Sequence, residues 1–244
     1  MYTMELNLYE QNWLKKGGEF EENSLQLRRK LPRGTNHLPP ELVLQSQKER
    51  LIEAVALCIH QKGYAATSVK DIIQQASVSR TTFYKLFTDK EACYFYCFKK
   101  LSSLHLKLLV QTYSDHQTDF RRAFEVSTLA FIQQLTVNKI YASAFFALVP
   151  YSTLSVVAEL NVVKAHYVSL LVYWFSILPS QISRPVLPQD VFKIVIEGIF
   201  SYIRQWIIQG QEQSTENVHH HVCYVIFSTL GLNDWAKQHL EKLI

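Results

Sequence analysis

The chain has 244 residues, 48 % of them hydrophobic and 19 % charged, with a formal net charge of +4. That composition excludes a disordered or low-complexity chain and fits one large or two modest folded domains. The charge is uneven: residues 46–111 carry ten Lys/Arg against five Asp/Glu, and residues 112–244 carry nine against ten, so positive potential gathers in the first part.

Residues 1–45 read as an N-terminal extension, punctuated by Gly17-Gly18, Pro32, Gly34 and Pro39-Pro40. Glu5, Glu10 and Lys15 interrupt its start, so no signal peptide is expected. The cluster Arg28-Arg29-Lys30 with Arg33 reads either as an arm on phosphates or the minor groove, or as a solvated linker, since the extension carries six basic and six acidic residues. Leu51, Ile52, Val55, Ala56 and Ile59 predict a first helix from Ser46 or Gln47 to Gln61, ended by Gly63. Thr67 or Ser68 caps a second helix that carries Val69, Ile72, Ile73 and Ala76 at helical spacing. Ser77-Val78 breaks the pattern. Ser79 caps a third helix, Arg80 to Phe87, with Phe83 and Phe87 turned to the core, and Asp89 caps a fourth that reaches about Val110. Two short helices joined by a tight turn, the second polar and basic on one side, describe a helix-turn-helix.

With these residues the chain resembles the TetR family of bacterial transcription regulators. The resemblance rests on Gly63-Tyr64-Ala65-Ala66-Thr67-Ser68, Asp71-Ile72-Ile73, Ala76-Ser77-Val78-Ser79, Thr82-Phe83-Tyr84-Lys85-Leu86-Phe87 and Asp89-Lys90-Glu91. It covers about residues 46 to 100. Ser77 stands where the family usually has a turn glycine, and Thr81 where a glycine is common in the reading helix; Ser77 is therefore expected to carry strain if the turn needs a positive φ. The resemblance implies an all-α chain with a three-helix helix-turn-helix DNA-binding domain at 46–92. A helical regulatory domain at 93–244 follows, which binds ligand and forms the dimer.

The rest of the sequence also reads as helical: Phe120 to Thr136, Ile140 to Val149, Leu154 to Ile177, a helix from near Pro188 to Ile208, Glu216 to Thr229, and Trp235 to Leu243. Gly198 lies inside the fourth of these and suits a close helix crossing. β-branched and aromatic residues between Val168 and Ile177 also give that segment strand propensity. No apolar run reaches the roughly 18–20 residues of a membrane helix. Cys58, Cys93, Cys97 and Cys223 sit in apolar patterns and are expected to be reduced thiols.

Arg80 is the expected base reader, because its planar fork suits guanine. Thr81 and Thr82 suit a thymine methyl or a phosphate, and Lys85 and Ser79 share that face. Thr67 and Ser68 can donate to phosphate at the start of the second helix. By the resemblance, Tyr84 and Lys90 hold the DNA backbone. Also by the resemblance, dimerisation falls to Asp190–Ile208 and Glu216–Thr229, with Phe192, Val195, Ile196, Ile199, Phe200 and Ile203 offering apolar surface. A pocket among the middle helices has Phe98, Phe124, Phe145, Tyr167, Tyr173 and Trp174 as candidate lining, and Glu159 and His166 as candidate polar contacts. His219 and Cys223 are four apart, a spacing that can hold zinc; successive histidines at 219–221 point to different faces, so neither a metal nor a cofactor is expected.

The function expected is a sequence-specific, DNA-binding transcription regulator. It would be a cytoplasmic homodimer on a palindromic operator, a repressor released by a small apolar or aromatic effector, with no membrane involved. The alternatives are an architectural or occlusion-type DNA-binding protein without effector, and a protein-responsive regulator. No Gly-rich phosphate loop, nucleophile elbow, His-Glu-x-x-His or paired carboxylate supports an enzyme.

Overall fold

A computed structural model describes residues 39–147, 153–180, 182–183 and 185–243. The basic cluster at residues 28–33 and the expected stop at Pro150 lie outside them. Among the described residues every regular element is helical. Chain order gives α1 (Pro40–Ala66), α2 (Val69–Ala76), α3 (Arg80–Leu86), α4 (Lys90–Ser114), α5 (Phe120–Val137), α6 (Lys139–Ala142) running into a π-helical turn (Ser143–Ala147), α7 (Leu154–Ser176), α8 (Gln189–Ile208), α9 (Thr215–Thr229) and α10 (Asn233–Leu240).

The first helix begins earlier than the apolar stripe predicts. Pro40 occupies its first turn, where a missing N–H costs nothing. Its regular path breaks at Gly63, whose φ of 79° and ψ of 164° suit a residue without Cβ. Leu51, Ile52, Val55 and Ile59 are buried against Ile72, Phe83, Phe87, Tyr94 and Cys97 in one continuous core. Each such side chain contributes about 1.5–3 kcal/mol, which is what holds the short α2 and α3 in place.

Helix α4 joins this head to the body. Its ammonium at Lys100 contacts both carboxylate oxygens of buried Glu49 on α1 at 2.6 Å. At its start, Glu91 Oε1 accepts hydrogen bonds from Thr153 Oγ1 (3.1 Å) and Ser155 Oγ (2.5 Å), at the head of α7. Farther along, Lys99 pairs with Glu159 on α7 at 2.9 Å.

The segment with strand propensity lies inside α7. This helix is long and apolar enough to cross a membrane by length and composition, contrary to the run-length expectation. Val156, Leu160, Val163, Tyr167, Leu170, Leu171 and Trp174 are instead buried by protein, and Glu159 and Lys164 interrupt it. Gly198 meets no atom within 4 Å of an added Cβ, so within the chain it serves no helix crossing. Phe192, Val195, Ile196, Ile199, Phe200 and Ile203 are buried in the chain's own core, so they are not free for a partner subunit. The outward stripe of α8 is Ile194, Gly198, Ser201, Gln205 and Ile208. All four cysteines are buried free thiols.

Candidate functional site

The turn before α3 is built by caps. Ser68 and Asp71 form a reciprocal capping box at the start of α2: Asp71 N donates to Ser68 Oγ (3.3 Å), and Ser68 N donates to Asp71 Oδ2 (2.8 Å). Lys62 Nζ lies 2.7 Å from Asp71 Oδ1. The Lys62 and Ser68 hydrogen bonds hold the Asp71 carboxyl well below the usual carboxylate range. Ser77 then turns the chain with φ 51° and ψ 46°. Arg50 of α1 donates to the carbonyls of Ala76 (2.9 Å) and Ser77 (3.2 Å), closing the end of α2.

Ser79 Oγ accepts from Thr82 N at 3.0 Å and caps α3. Phe83 is fully buried, so the opposite side of this short helix must face out. There Arg80, Thr81, Tyr84 and Lys85 are exposed, and Thr82 is half-buried with its hydroxyl 2.9 Å from Ser79 Oγ. The Arg80 guanidinium lies 5.6 Å from the centre of the Tyr84 ring. The result is a compact polar face carrying a planar fork, hydroxyls and an ammonium, suited to base edges and phosphates.

Two residues expected to hold phosphates, at the starts of α2 and α4, are instead engaged by the chain's own carbonyls. Thr67 is buried, and its hydroxyl donates to the Gly63 carbonyl at 2.8 Å. It closes α1 and cannot also reach a phosphate in this arrangement. The Lys90 ammonium donates to the carbonyls of Tyr64 (2.7 Å) and Thr67 (2.8 Å) and sits 4.2 Å from the Tyr64 ring centre. Burial lowers its pKa, partly opposed by Glu91. Ser68 remains exposed, with its hydroxyl donating to Asp71 Oδ2 at 2.6 Å.

A second concavity lies in the body, between α4, the π-helical turn, α7 and α8. It is lined by Phe98, Phe145, Phe146, Tyr167 and Phe200 together with Lys164 and Arg204. Its interior holds about 20 Å³, little more than one water. The π-helical turn sets successive rings on different walls: Phe145 stacks on Tyr94 with centroids 5.1 Å apart, whereas Phe146 lies 5.8 Å from Phe200. Lys164 is buried and contacts Glu197 Oε2 at 2.5 Å.

Phe98, Phe145 and Tyr167 thus meet at one site, as three of the six aromatic residues proposed from sequence. The others do not join them. Phe124 and Trp174 pack with Tyr113 and Phe227 in a separate aromatic cluster, where Tyr113 and Trp174 stack at 4.3 Å. Tyr173 points to solvent at 55 % exposure, one position along the helix from buried Trp174. His166 is also exposed, and Glu159 is engaged by Lys99. Sequence reasoning missed Lys164, Arg204 and Arg50. The available signal for Lys164 was a lone cation within the apolar stripe Leu160, Val163, Tyr167 and Val168.

Residues 51–97 match the family described as bacterial regulatory proteins, tetR family. No curated protein matches the chain significantly. Among solved structures, the fold is similar to the fatty acid degradation regulator FadR from Bacillus halodurans, at 16 % identity and a TM-score of 0.63 over 80 % of this chain and 97 % of that one. It is similar to FadR from Bacillus subtilis, solved in complex with stearoyl-CoA, at 17 % identity and 0.63 over 74 % and 96 %. A TetR family transcription regulator from Marinobacter aquaeolei VT8 is similar at 17 % and 0.56 over 75 % and 95 %. At these identities the likeness carries the fold.

Proposed function

We propose that this chain, whose residues 51–97 match the tetR family, is a cytoplasmic, homodimeric repressor of that family and reads a palindromic operator with α3. The observation that supports this best is the division of α3 itself. Phe83 is sealed in the core while Arg80, Thr81, Tyr84 and Lys85 stand in solvent on one face. A twofold dimer presents two such faces about one DNA turn apart. The outer stripe of α8, with Ile194 and Ile208 at its ends and Gly198 open between them, offers a surface on which a second copy can approach closely.

The body pocket is the proposed effector site, with Phe98, Phe145 and Tyr167 as lining. Lys164 and Arg204 add cationic ends to an aromatic wall. Beside the small apolar or aromatic effector expected from sequence, the lining suits an amphipathic one whose anionic head takes the place of Glu197 at Lys164, such as a fatty acyl chain carrying a carboxylate or phosphate. The stearoyl-CoA bound by the structurally similar FadR is of that class. The closed form has no room for such a ligand, so entry must part α7 and α8 from α4, and the reading heads move with α4.

The test is selection of genomic fragments by the purified chain, with affinity read at two salt concentrations. A short palindrome is expected. Tyr84→Phe should weaken binding to all sequences, as loss of a phosphate contact does. Arg80→Ala should relax preference at one operator position by about 1–3 kcal/mol. If neither substitution alters binding, α3 is not the reading element. The small pocket also favours a second reading, a DNA-binding protein without effector. Acyl-CoA and fatty acids should release the operator and raise the unfolding temperature, and Lys164→Met should blunt both effects. Operator binding indifferent to these ligands supports the second reading.

A further inference from the structure

The C-terminal helices bring a distant imidazole beside two that are neighbours in the sequence. His219 and His220 are consecutive on α9, and His239 arrives from α10. One ring nitrogen from each lies within 4.8 Å of the others. The sequence spacing pairs His219 with Cys223, and Cys223 Sγ does lie 3.2 Å from His219 Nε2, on the side of the ring that meets the Glu125 carbonyl. In the fold, the closest contact within the trio is His220 Nδ1 to His239 Nδ1, at 2.9 Å.

The hydrogen bonds around the trio assign its tautomers. His219 Nε2 lies 2.9 Å from the Glu125 carbonyl. A carbonyl only accepts, so this nitrogen carries the hydrogen and Nδ1 keeps its lone pair. His239 Nε2 lies 3.1 Å from Glu125 Oε1, which also accepts from Arg121 Nε at 2.6 Å. A carboxylate held this way only accepts as well, so His239 also keeps its lone pair on Nδ1. Glu125 of α5 thus orients two of the rings from behind, through its carbonyl and its carboxylate, in the arrangement that metal-ligating histidines use. His239 and His219 are buried at 1 % and 6 % exposure, and half-buried His220 leaves the cluster an approach from solvent.

We propose that His219, His220 and His239 form a binding site for a borderline transition-metal cation, Zn²⁺ foremost. An all-imidazole donor set suits Zn²⁺ and its neighbours and disfavours Mg²⁺ and Ca²⁺, which take oxygen ligands. Two nitrogens on a tetrahedral zinc, each at about 2.0–2.1 Å, sit roughly 3.3 Å apart. The His220–His239 pair opens by a few tenths of an ångström to take the ion, and the other pairs, all within 4.8 Å, close by at most about 1.5 Å. In the metal-free chain a proton between the two Nδ1 atoms satisfies that pair, and the cation replaces it. Three protein nitrogens leave a fourth position for water. Arg121 and Lys242 lie near the cluster and oppose a cation there, so the nitrogen bonds must supply the affinity. The ion pins α10 to α9, beside the Glu125 turn of α5. The site does not depend on the DNA-binding reading.

The experiment uses the full chain without a histidine tag, stripped by chelator and titrated with Zn²⁺ against a chromophoric zinc chelator. One ion per chain is expected, with a rise in unfolding temperature on binding. His220→Gln, the half-buried ligand whose loss the fold tolerates best, should weaken binding by at least about tenfold and abolish the thermal shift. His221→Gln should change neither, because that ring faces Tyr202 and Gln213. Circular dichroism verifies that both variants are folded. No uptake by the unaltered chain overturns the proposal. So does equal loss in His220→Gln and His221→Gln, which would mark diffuse binding to the histidine run.

Discussion

Ser77 holds a left-handed backbone, φ 51° and ψ 46°, at the turn between α2 and α3. A side chain with Cβ pays a steric penalty there, and glycine does not. Ser77→Gly should therefore stabilise the chain by about 0.5–1 kcal/mol, or roughly 1–4 °C in the unfolding midpoint. Thermal melts read it directly, and a fall in the midpoint would mean that glycine's added freedom in the unfolded chain outweighs the relief of the turn, since the Arg50 bond to this carbonyl does not depend on the side chain. The direction of this residue was legible in sequence, because it stands at a position of the motif where glycine is usual. Arg50's role was not: its partners lie 26 and 27 residues away, across a helix packing that no local pattern encodes.

At the scale of elements, the start of α4 is fastened to the end of α1 by Lys90, which closes two carbonyls. Lys90→Met should cost about 1–3 kcal/mol, since both acceptors lose their donor. Operator affinity of the folded variant measured in the cold should change less than the melting midpoint. Lost affinity with an unchanged midpoint would restore Lys90 to the DNA backbone. Helix identities followed from periodicity and caps, and Ser68, Ser79 and Asp89 all cap where the sequence expects. The pocket was half legible. Phe98, Phe145 and Tyr167 share a wall, but Trp174 and Tyr173 are neighbours on α7 whose fates differ by one 100° step. Composition marks both as apolar-aromatic; only packing decides that one stacks on Tyr113 and the other meets solvent.

Across the whole molecule, a titration should reveal the burial of the body. His105 on α4 sits edge-on to Phe131 at 5.5 Å, and burial pushes its pKa down to about 4 from the ordinary 6.5. In the unfolded chain it binds a proton near pH 6.5; in the fold it resists until about pH 4. Its contribution to stability is thus full above 6.5 and is lost as pH falls through the window down to 4. The slope is at most about 1.4 kcal/mol per pH unit for one histidine. His105→Phe should flatten the stability profile in that window, with denaturant melts at several pH values as the measure. An unchanged slope would assign it to other groups.

The two hydroxyls that close on Glu91, from Thr153 and Ser155, are the polar join between the start of α7 and the start of the head-bearing α4. An exposed hydroxyl–carboxylate bond contributes about 1 kcal/mol net. Under the proposed effector mechanism, breaking both would supply about 2 kcal/mol, or roughly thirtyfold per subunit, of the coupling between body and reading head. That share adds to what the Lys99–Glu159 pair carries between the same two helices farther along.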